Sequence, residues 1–284
     1  MKQTDFHIRG RSVDSFETPF QLRVKNGLAI VDAEGTCYRD LNALLRKLNS
    51  NGIKKAELYN VYGQRYIGTS LNGNMKIEIY GTPGNDLGAF MNGAKISVYG
   101  NVQDGCGNTM NDGLIVVHGH AGDLAGYSMR KGKIFIRDDV GYRAGIHMKE
   151  SQNIRPFMVI GGSSRAFLGE YMAGGVILVL GLNSHEERHR AKFVGAGMHG
   201  GVIYVHGEIT NLSKEVKVVD IDKSDVRLIR SLIKEFCDYF NFNFDEIMSR
   251  KFTKIVPVSH RPYGRLYSHY AHARQCCNVL LNME

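Results

Sequence analysis

The segments MNGAKISVYG (91–100), MNDGLIVVHG (110–119), MRKGKIFIRD (129–138), MAGGVILVLG (172–181) and MHGGVIYVHG (198–207) align without a gap. Met91, Met110 and Met129 stand nineteen residues apart, and Met148 continues the interval; its strand, PFMVIGG, is displaced by the insertion SQNIRP. Upstream, NGNMKIEIYG (72–81) fits the same frame one repeat earlier. Three residues before each of the methionines Met91, Met110, Met129, Met148, Met172 and Met198 stands a glycine: Gly88, Gly107, Gly126, Gly145, Gly169 and Gly195. One column downstream reads Ile77, Ile96, Ile115, Ile134, Ile177 and Ile203, and two residues further Ile79, Val98, Val117, Ile136, Val179 and Val205. β-Branched residues alternating with polar or variable ones are the period-two pattern of a strand with one buried face. A short, fixed repeat of such strands implies stacked coils. Stacking at about 4.8 Å turns the two columns into internal aliphatic ladders and sets the glycines at a corner that needs a sharp turn or positive φ. The expected fold is an all-β core, a single-stranded, right-handed parallel β-helix of six to seven coils, roughly 30 Å long.

A solenoid has open ends, and exposed strand edges invite aggregation, so both ends need caps. Residues 1–70 read as a small α/β cap, with LAIVDA as a strand, YRDLNALLRKLN as a helix and AELYNV as a strand entering the stack. Residues 71–212 carry the β-helix. Residues 213–284 open with SDVRLIRSLIKEFCDYF (224–240), whose apolar spacing is helical and whose Ser224 is placed to cap it. The remainder, including RPYGRLY, reads as an irregular basic tail that wraps back over the coils or reaches a neighbour.

Composition narrows the function classes. Of 284 residues, 33 are glycine and only 5 proline, roughly 12% glycine against a usual 7%. Hydrophobic residues at 43% exclude a largely disordered chain. The net charge is +8, and Arg250, Lys251, Lys254, Arg261, Arg265 and Arg274 face only Glu284 in the last thirty-five residues. Such a tail suits an anionic surface or an acidic protein partner; without a recognition motif, nucleic acid is the weaker reading. The five cysteines, Cys37, Cys106, Cys237, Cys276 and Cys277, form neither a disulfide framework nor a CxxC pair. The opening MKQTDFHIRGRS lacks the apolar core of a signal peptide, and no run approaches a membrane span, so a cytoplasmic location is expected.

Three motifs tempt a catalytic reading. HEERH (185–189) matches HExxH, in which His185 and His189 would bind zinc and Glu186 act as base. It lies in a strongly polar insertion between two coils, with no third ligand at a family spacing, and reads better as a solvated loop. GAGMHG (195–200) fits GxGxxG, but it runs into a strand rather than opening a helix, and its glycines belong to the repeat. His118 and His206 share a column with Tyr80, Tyr99 and Arg137, with His120 nearby, which reads as an outward strand position rather than a metal ladder. Asp104, Asp123 and Asp139 fall near turns, where aspartate bonds its own backbone. The methionine column reads as core packing or a soft contact surface rather than a cofactor site, and no catalytic, cofactor-binding or metal residue is assigned.

The coils GEYMAGGVILVLG (169–181) and FVGAGMHGGVIYVHG (193–207), with QDGCGNTMNDGLIVVHGHAGDLAGYSM (103–129), are similar to the carboxy-terminal β-helix domain of the glutamate synthase large subunit, the GXGXG family. They also resemble the small β-helix subunit of formylmethanofuran dehydrogenases. The resemblance covers about residues 75–207. It implies a stand-alone, non-catalytic scaffold subunit of a glutamate synthase-like complex, in which ammonia passes between glutaminase-like and FMN/iron–sulfur synthase-like partner chains. FMN and the cluster would belong to the partner, since this sequence has no amino-terminal cysteine and no cysteine cluster. The alternatives are a β-helix subunit of a formylmethanofuran dehydrogenase-like or N-methylglutamate synthase-like oxidoreductase and an independent β-helix enzyme or binding module; among partners, a homo-oligomer is left open beside the two catalytic chains.

Overall fold

The computed structural model describes residues 21–151, 154–183 and 191–259, with the backbone of Phe6–Ile8, Arg11–Val13 and Arg188–His189 besides. Near the amino terminus β1 (Phe6–Ile8) and β2 (Arg11–Val13) form a small antiparallel pair. Then follow β3 (Leu22–Lys25), β4 (Leu28–Asp32), α1 (Tyr38–Ser50) and β5 (Lys55–Tyr62). The coils contribute β6 (Lys76–Thr82), β7 (Asn92–Tyr99), β8 (Asp112–Val117), β9 (Lys133–Ile136), β10 (Phe157–Ile160), β11 (Ala173–Val179), β12 (Arg188–His189), β13 (Gly200–His206) and β14 (Glu208–Ile209). The chain continues with β15 (Val216–Val219), α2 (Lys223–Phe240), α3 (Phe244–Met248) and β16 (Phe252–Pro257).

Twelve of these strands form one sheet in the order β15-β16-β13-β11-β10-β9-β8-β7-β6-β5-β4-β3. From β4 to β13 every neighbouring pair is parallel, and coil follows coil without a swap. At about 4.8 Å per step this ladder is near 40 Å long. It is the parallel β-helix read from the repeat. Ile77, Ile96, Ile115 and Ile134 stand in register, Met158 completes the column in the displaced coil, and Ile177 and Ile203 follow. All are fully buried, as are Ile79, Val98, Val117, Ile136, Ile160, Val179 and Val205 in the second column.

The frame departs from the sequence reading in its first coil. Asn72 does not occupy the methionine column. Leu71 does, since its carbonyl accepts from Asn92 N (2.9 Å) as that of Met91 accepts from Asn111 N (2.8 Å). One extra residue lies between Leu71 and β6, since Asn72 pairs with Asn92 but Lys76 with Lys95, and Gly68 becomes a seventh corner glycine.

The corner has its own backbone code. Around Gly107, positive φ recurs at Gly105, Gly107 and Thr109; around Gly88, at Asp86, Gly88 and Phe90; around Gly126, at Leu124, Gly126 and Ser128. Left-handed residues at every second position reverse alternate peptides. Gly107 N and Gly126 N therefore donate backward, to Leu87 O (2.8 Å) and Cys106 O (2.7 Å), while Phe90 N and Ser128 N donate forward, to Asn108 O (2.9 Å) and Ile146 O (2.8 Å). The corner is a hydrogen-bonded ladder, not a loose turn. Its middle residue faces the core. A Cβ on Gly107 would stand 2.4 Å from Ile134 Cδ1, one on Gly126 2.2 Å from Met158 Cε, and one on Gly145 2.3 Å from Ile177 Cδ1. Of the outer positive-φ positions Phe90 and Leu124 are exposed while Thr109 is buried, and a side chain at such a position costs about 1–2 kcal/mol.

Both ends are closed by antiparallel strands. At the amino end β3 pairs with β4 through an Asn26-Gly27 turn with positive φ at both residues, the usual two-residue hairpin solution. α1 crosses from β4 to β5 and buries Leu41, Leu44, Leu45 and Leu48. At the carboxy end β16 pairs antiparallel to β13, and β15 to β16. Residues 252–257, read from the sequence as part of an irregular tail, are thus the strand that covers the last coil's edge. RPYGRLY lies outside the described residues.

The second core lies on the outside of the sheet. There β9 to β13 turn Phe135, Val159, Val176, Leu178 and Tyr204 outward, and α2 covers them with Ile229, Leu232, Ile233 and Phe236. The N-cap of α2 is Asp222, not Ser224: its carboxylate accepts from Ser224 N (2.6 Å) and Asp225 N (3.0 Å), and Asp225 returns a bond from Asp222 N (2.8 Å). Asp225 is buried and also accepts from Tyr204 Oη (2.5 Å) and Lys254 Nζ (2.6 Å), joining α2, β13 and β16. Burial pushes this carboxyl up, but the bonds from Lys254, Tyr204 and the Asp222 amide outweigh it and leave Asp225 below its ordinary value.

The packing fixes what three substitutions should cost. Gly126→Val should lose about 3 kcal/mol or more in a denaturant melt, from left-handed strain plus overpacking. Gly27→Ala, where a Cβ meets nothing within 4 Å, should lose only about 1 kcal/mol. Equal losses would refute an inward-facing corner. Asp225→Ala should cost about 3 kcal/mol, since it strips Lys254 and Tyr204 of their buried acceptor and leaves Lys254 only the longer contact with exposed Asp222 at 3.8 Å. Because the folded-state value is lowered, this support is present above about pH 4 and disappears as pH falls through that value. Acid should accordingly weaken the wild type while changing the variant's stability less over the same range.

Candidate functional site

The structure separates the sequence candidates. Met91, Met110, Met129, Met148 and Met172 are fully buried and Met198 almost so, each following its corner into the core. Glycines 88, 107, 126, 145, 169 and 195 all take positive φ. Of HEERH, His185 and Glu186 lie outside the described residues. The backbone at His189 belongs to β12, paired in parallel with β14, so that part of the motif is extended rather than helical. GAGMHG leads directly into β13, and Gly195 and Gly197 are two of its coil's left-handed corner positions. Among the described residues no group of three or more His, Cys, Asp or Glu side chains is placed to hold a metal ion.

Asp104, Asp123 and Asp139 do not bond their own turns. Asp104 Oδ1 accepts from Asp123 N (2.8 Å), Asp123 Oδ1 from Tyr142 N (2.7 Å) and Asp139 Oδ1 from Ser163 N (2.6 Å), each one coil onward. The sequence reading missed this because a carboxylate one coil from an amide and one beside its own turn carry the same local signature. These aspartates brace the stack.

The histidine column proves to be part of an aromatic ladder on the sheet's outer face. Tyr59 and Tyr80 stack at 4.6 Å, Tyr80 and Tyr99 at 4.9 Å, and Tyr99 and His118 at 4.7 Å, before Phe240 of α2 meets His118 edge-on at 5.1 Å. Burial first, then the Arg137 charge, holds His118 below its ordinary value, so its ring is neutral at neutral pH. Beside the ladder run ion pairs: Lys55 with Glu57 (2.8 Å) and Glu78 (3.1 Å), and Lys76 with Glu78 (2.9 Å). This half of the sheet is exposed where the other half lies under α2. Tyr59 is the member sequence reasoning overlooked, since the alignment began one strand later.

Two grooves flank this face. One, of about 730 Å³, lies where β4 and β5 end and α1 begins, between Glu34–Tyr38 and Asn60–Gln64. The Cys37 side chain caps no amide there. Gln64 spends its amide on the loop itself, donating to Ala33 O (2.8 Å) and accepting from Tyr62 N (2.6 Å). The other, of about 460 Å³, lies beside α2 and contains Lys95, Lys131, Lys133, Arg155 and Tyr239. Three of its cations already carry partners: Lys131 with Asp112 (2.6 Å), Lys133 with Glu235 (2.5 Å) and Arg155 with Glu150 (2.8 Å). Neither groove assembles a nucleophile with a base. Cys106 sits in the core, its thiol pushed up to about 12 by burial, and is inert at neutral pH.

What the residues build well is a set of faces with fixed spacing. Among the described residues no helix is long and apolar enough to cross a membrane. The chain is 44% identical over 250 residues to an uncharacterized protein, MJ1350, of Methanocaldococcus jannaschii, covering 84% of this chain and 96% of that one. Among solved structures it is similar to a chain of the formyltransferase/hydrolase complex (FhcABCD) of Methylorubrum extorquens, determined with methylofuran. The TM-score there is 0.56 at 18% identity, over 82% of this chain and 93% of the other. At that identity the likeness is one of fold. The GXGXG motif family matches residues 47–258, from within α1 through β16, and to that family this chain belongs.

Proposed function

We propose that the chain is a structural subunit of a multi-subunit oxidoreductase complex, holding catalytic partner chains at fixed separation. The observation that carries this reading is the corner ladder: its alternating hydrogen bonds lock each coil to both neighbours, so outward side chains keep a spacing of about 4.8 Å over the rod. A ladder so bonded suits a spacer between two active sites, and the inward columns are filled by aliphatic and methionine side chains. The family resemblance supplies a first set of partners: a glutaminase-like chain and an FMN/iron–sulfur synthase-like chain. FMN and the cluster are then the partner's, and ammonia passes between the two sites. The likeness to a chain of the formyltransferase/hydrolase complex favours a second set, that of a formylmethanofuran dehydrogenase-like assembly.

Affinity purification of the full chain from its own cells, followed by mass spectrometry of stoichiometric components, tests the proposal. A glutaminase-like chain with a flavin-bearing chain supports the first set. A formyltransferase- or hydrolase-like chain supports the second. Recovery without any stoichiometric partner, or glutamine-dependent turnover by the isolated chain, overturns the scaffold reading.

A further inference from the structure

The outward side of α2 carries a row of cations that the chain itself leaves unmatched. Lys223, Arg227, Arg230 and Lys234 recur at intervals of four, three and four. At 3.6 residues per turn this keeps them on one stripe, about 16 Å long. The buried residues Ile229, Leu232, Ile233 and Phe236 lie on the opposite side of the helix, and all four cations are exposed. Among the described residues none of the four pairs with a carboxylate. Two acids of the helix are engaged elsewhere, Asp225 with Lys254 (2.6 Å) and Glu235 with Lys133 (2.5 Å). Like charges three or four residues apart repel along a helix, and Lys223 stands in the first turn, where the macrodipole already disfavours a cation. A helix face that only meets water gains from interspersed signs. This one has none until Asp238, one turn beyond Lys234.

Beside the stripe lies a groove of about 650 Å³ between α2 and α3, walled by Phe244, Cys237 and Ser231 and closed by Asp238. Phe244 packs against the second core, and Arg230 lies over its ring at 5.0 Å. The ring therefore offers no open platform for a nucleic-acid base. Asp238 ends the row with the opposite sign, where a continuous phosphate chain would be repelled. We infer that this face docks an acidic helix of a partner protein, with carboxylates at the matching four-three-four spacing and an apolar edge in the groove against Phe244. That spacing is the seam by which one helix follows another, and the exposed cations give the encounter its charge complementarity. The inference rests on the subunit reading above and gives one of its contacts a place and a chemistry.

The probe is a helical peptide with glutamates at positions i, i+4, i+7 and i+11, titrated into the purified full chain and followed by NMR. It should move the amides of residues 223–238 with a Kd of about 1 mM or tighter at low salt. A peptide of the same composition, its glutamates spread round the helix, should bind about tenfold more weakly. Arg227→Glu together with Arg230→Glu should weaken binding about tenfold or more without changing the melt, since both residues are exposed. A lysine version of the peptide should bind that variant in preference to the wild type. In affinity purification the double variant should lose a stoichiometric partner chain that the wild type retains. Equal binding of the two glutamate peptides, a variant that binds as the wild type does, or tighter binding of a single-stranded oligonucleotide of equal charge would overturn the inference and leave the subunit reading intact. Recovery of the wild type with no partner would overturn both.

Discussion

The contact between a corner glycine and the aliphatic side chain one or two coils ahead is the constraint on which the rest depends. Gly107 takes positive φ with its missing Cβ turned inward, and the space is filled by Ile134. The same relation recurs at Gly145 with Ile177 and at Gly169 with Ile203. Because the glycine has no side chain, the isoleucine reaches the corner wall and the core closes without a void. Because the glycine is left-handed, alternate peptides reverse, and the corner bonds both to the coil before and to the coil after. One residue thus sets packing and hydrogen bonding together, and the rod's uniform spacing follows from repeating it.

A uniform rod leaves its ends and outer surface to be specialised. The ends are closed by turning the last strand antiparallel, β3 on β4 and β16 on β13, which satisfies edge groups a further parallel coil would only pass along. The outer face of the sheet is divided between α2 and an exposed ladder of stacked rings ending at Phe240. The corner exposes large side chains on left-handed backbone, Phe90, Tyr171 and Phe193 among them. Function on such a scaffold resides in which face carries which columns, and the core is free to remain aliphatic.

The repeat, the two aliphatic columns and the corner glycines were legible from residues 91–207 because every coil repeats one solution. Identical environments impose identical side-chain demands at a nineteen-residue interval. α1 and its flanking strands were legible for the same local reason, as amphipathic spacing. The first coil was misplaced by one residue because an irregularity before β6 shifts the frame without leaving a mark in composition. Asp222 lost its place to Ser224 because both are good cap residues, and the choice rests on whether the carboxylate can reach two amides at once.

What needed the tertiary structure were the contacts between residues of unequal role. Residues 252–257 carry no repeat signature, yet they form the strand that seals β13, because an exposed edge selects any extended segment that can reach it. Asp225 became buried only once α2 lay on the sheet, where Tyr204 and Lys254 converge from two other strands. The aspartates of the turns joined successive coils, and Tyr59 joined the ring ladder, through distances that no local pattern encodes. The sequence by itself determined the coil, since a repeating strand-and-corner unit can bury its apolar face only against copies of itself. The tertiary structure decided the caps, the covered face and the exposed one, since each of these depends on the place where chain segments distant in sequence come to rest.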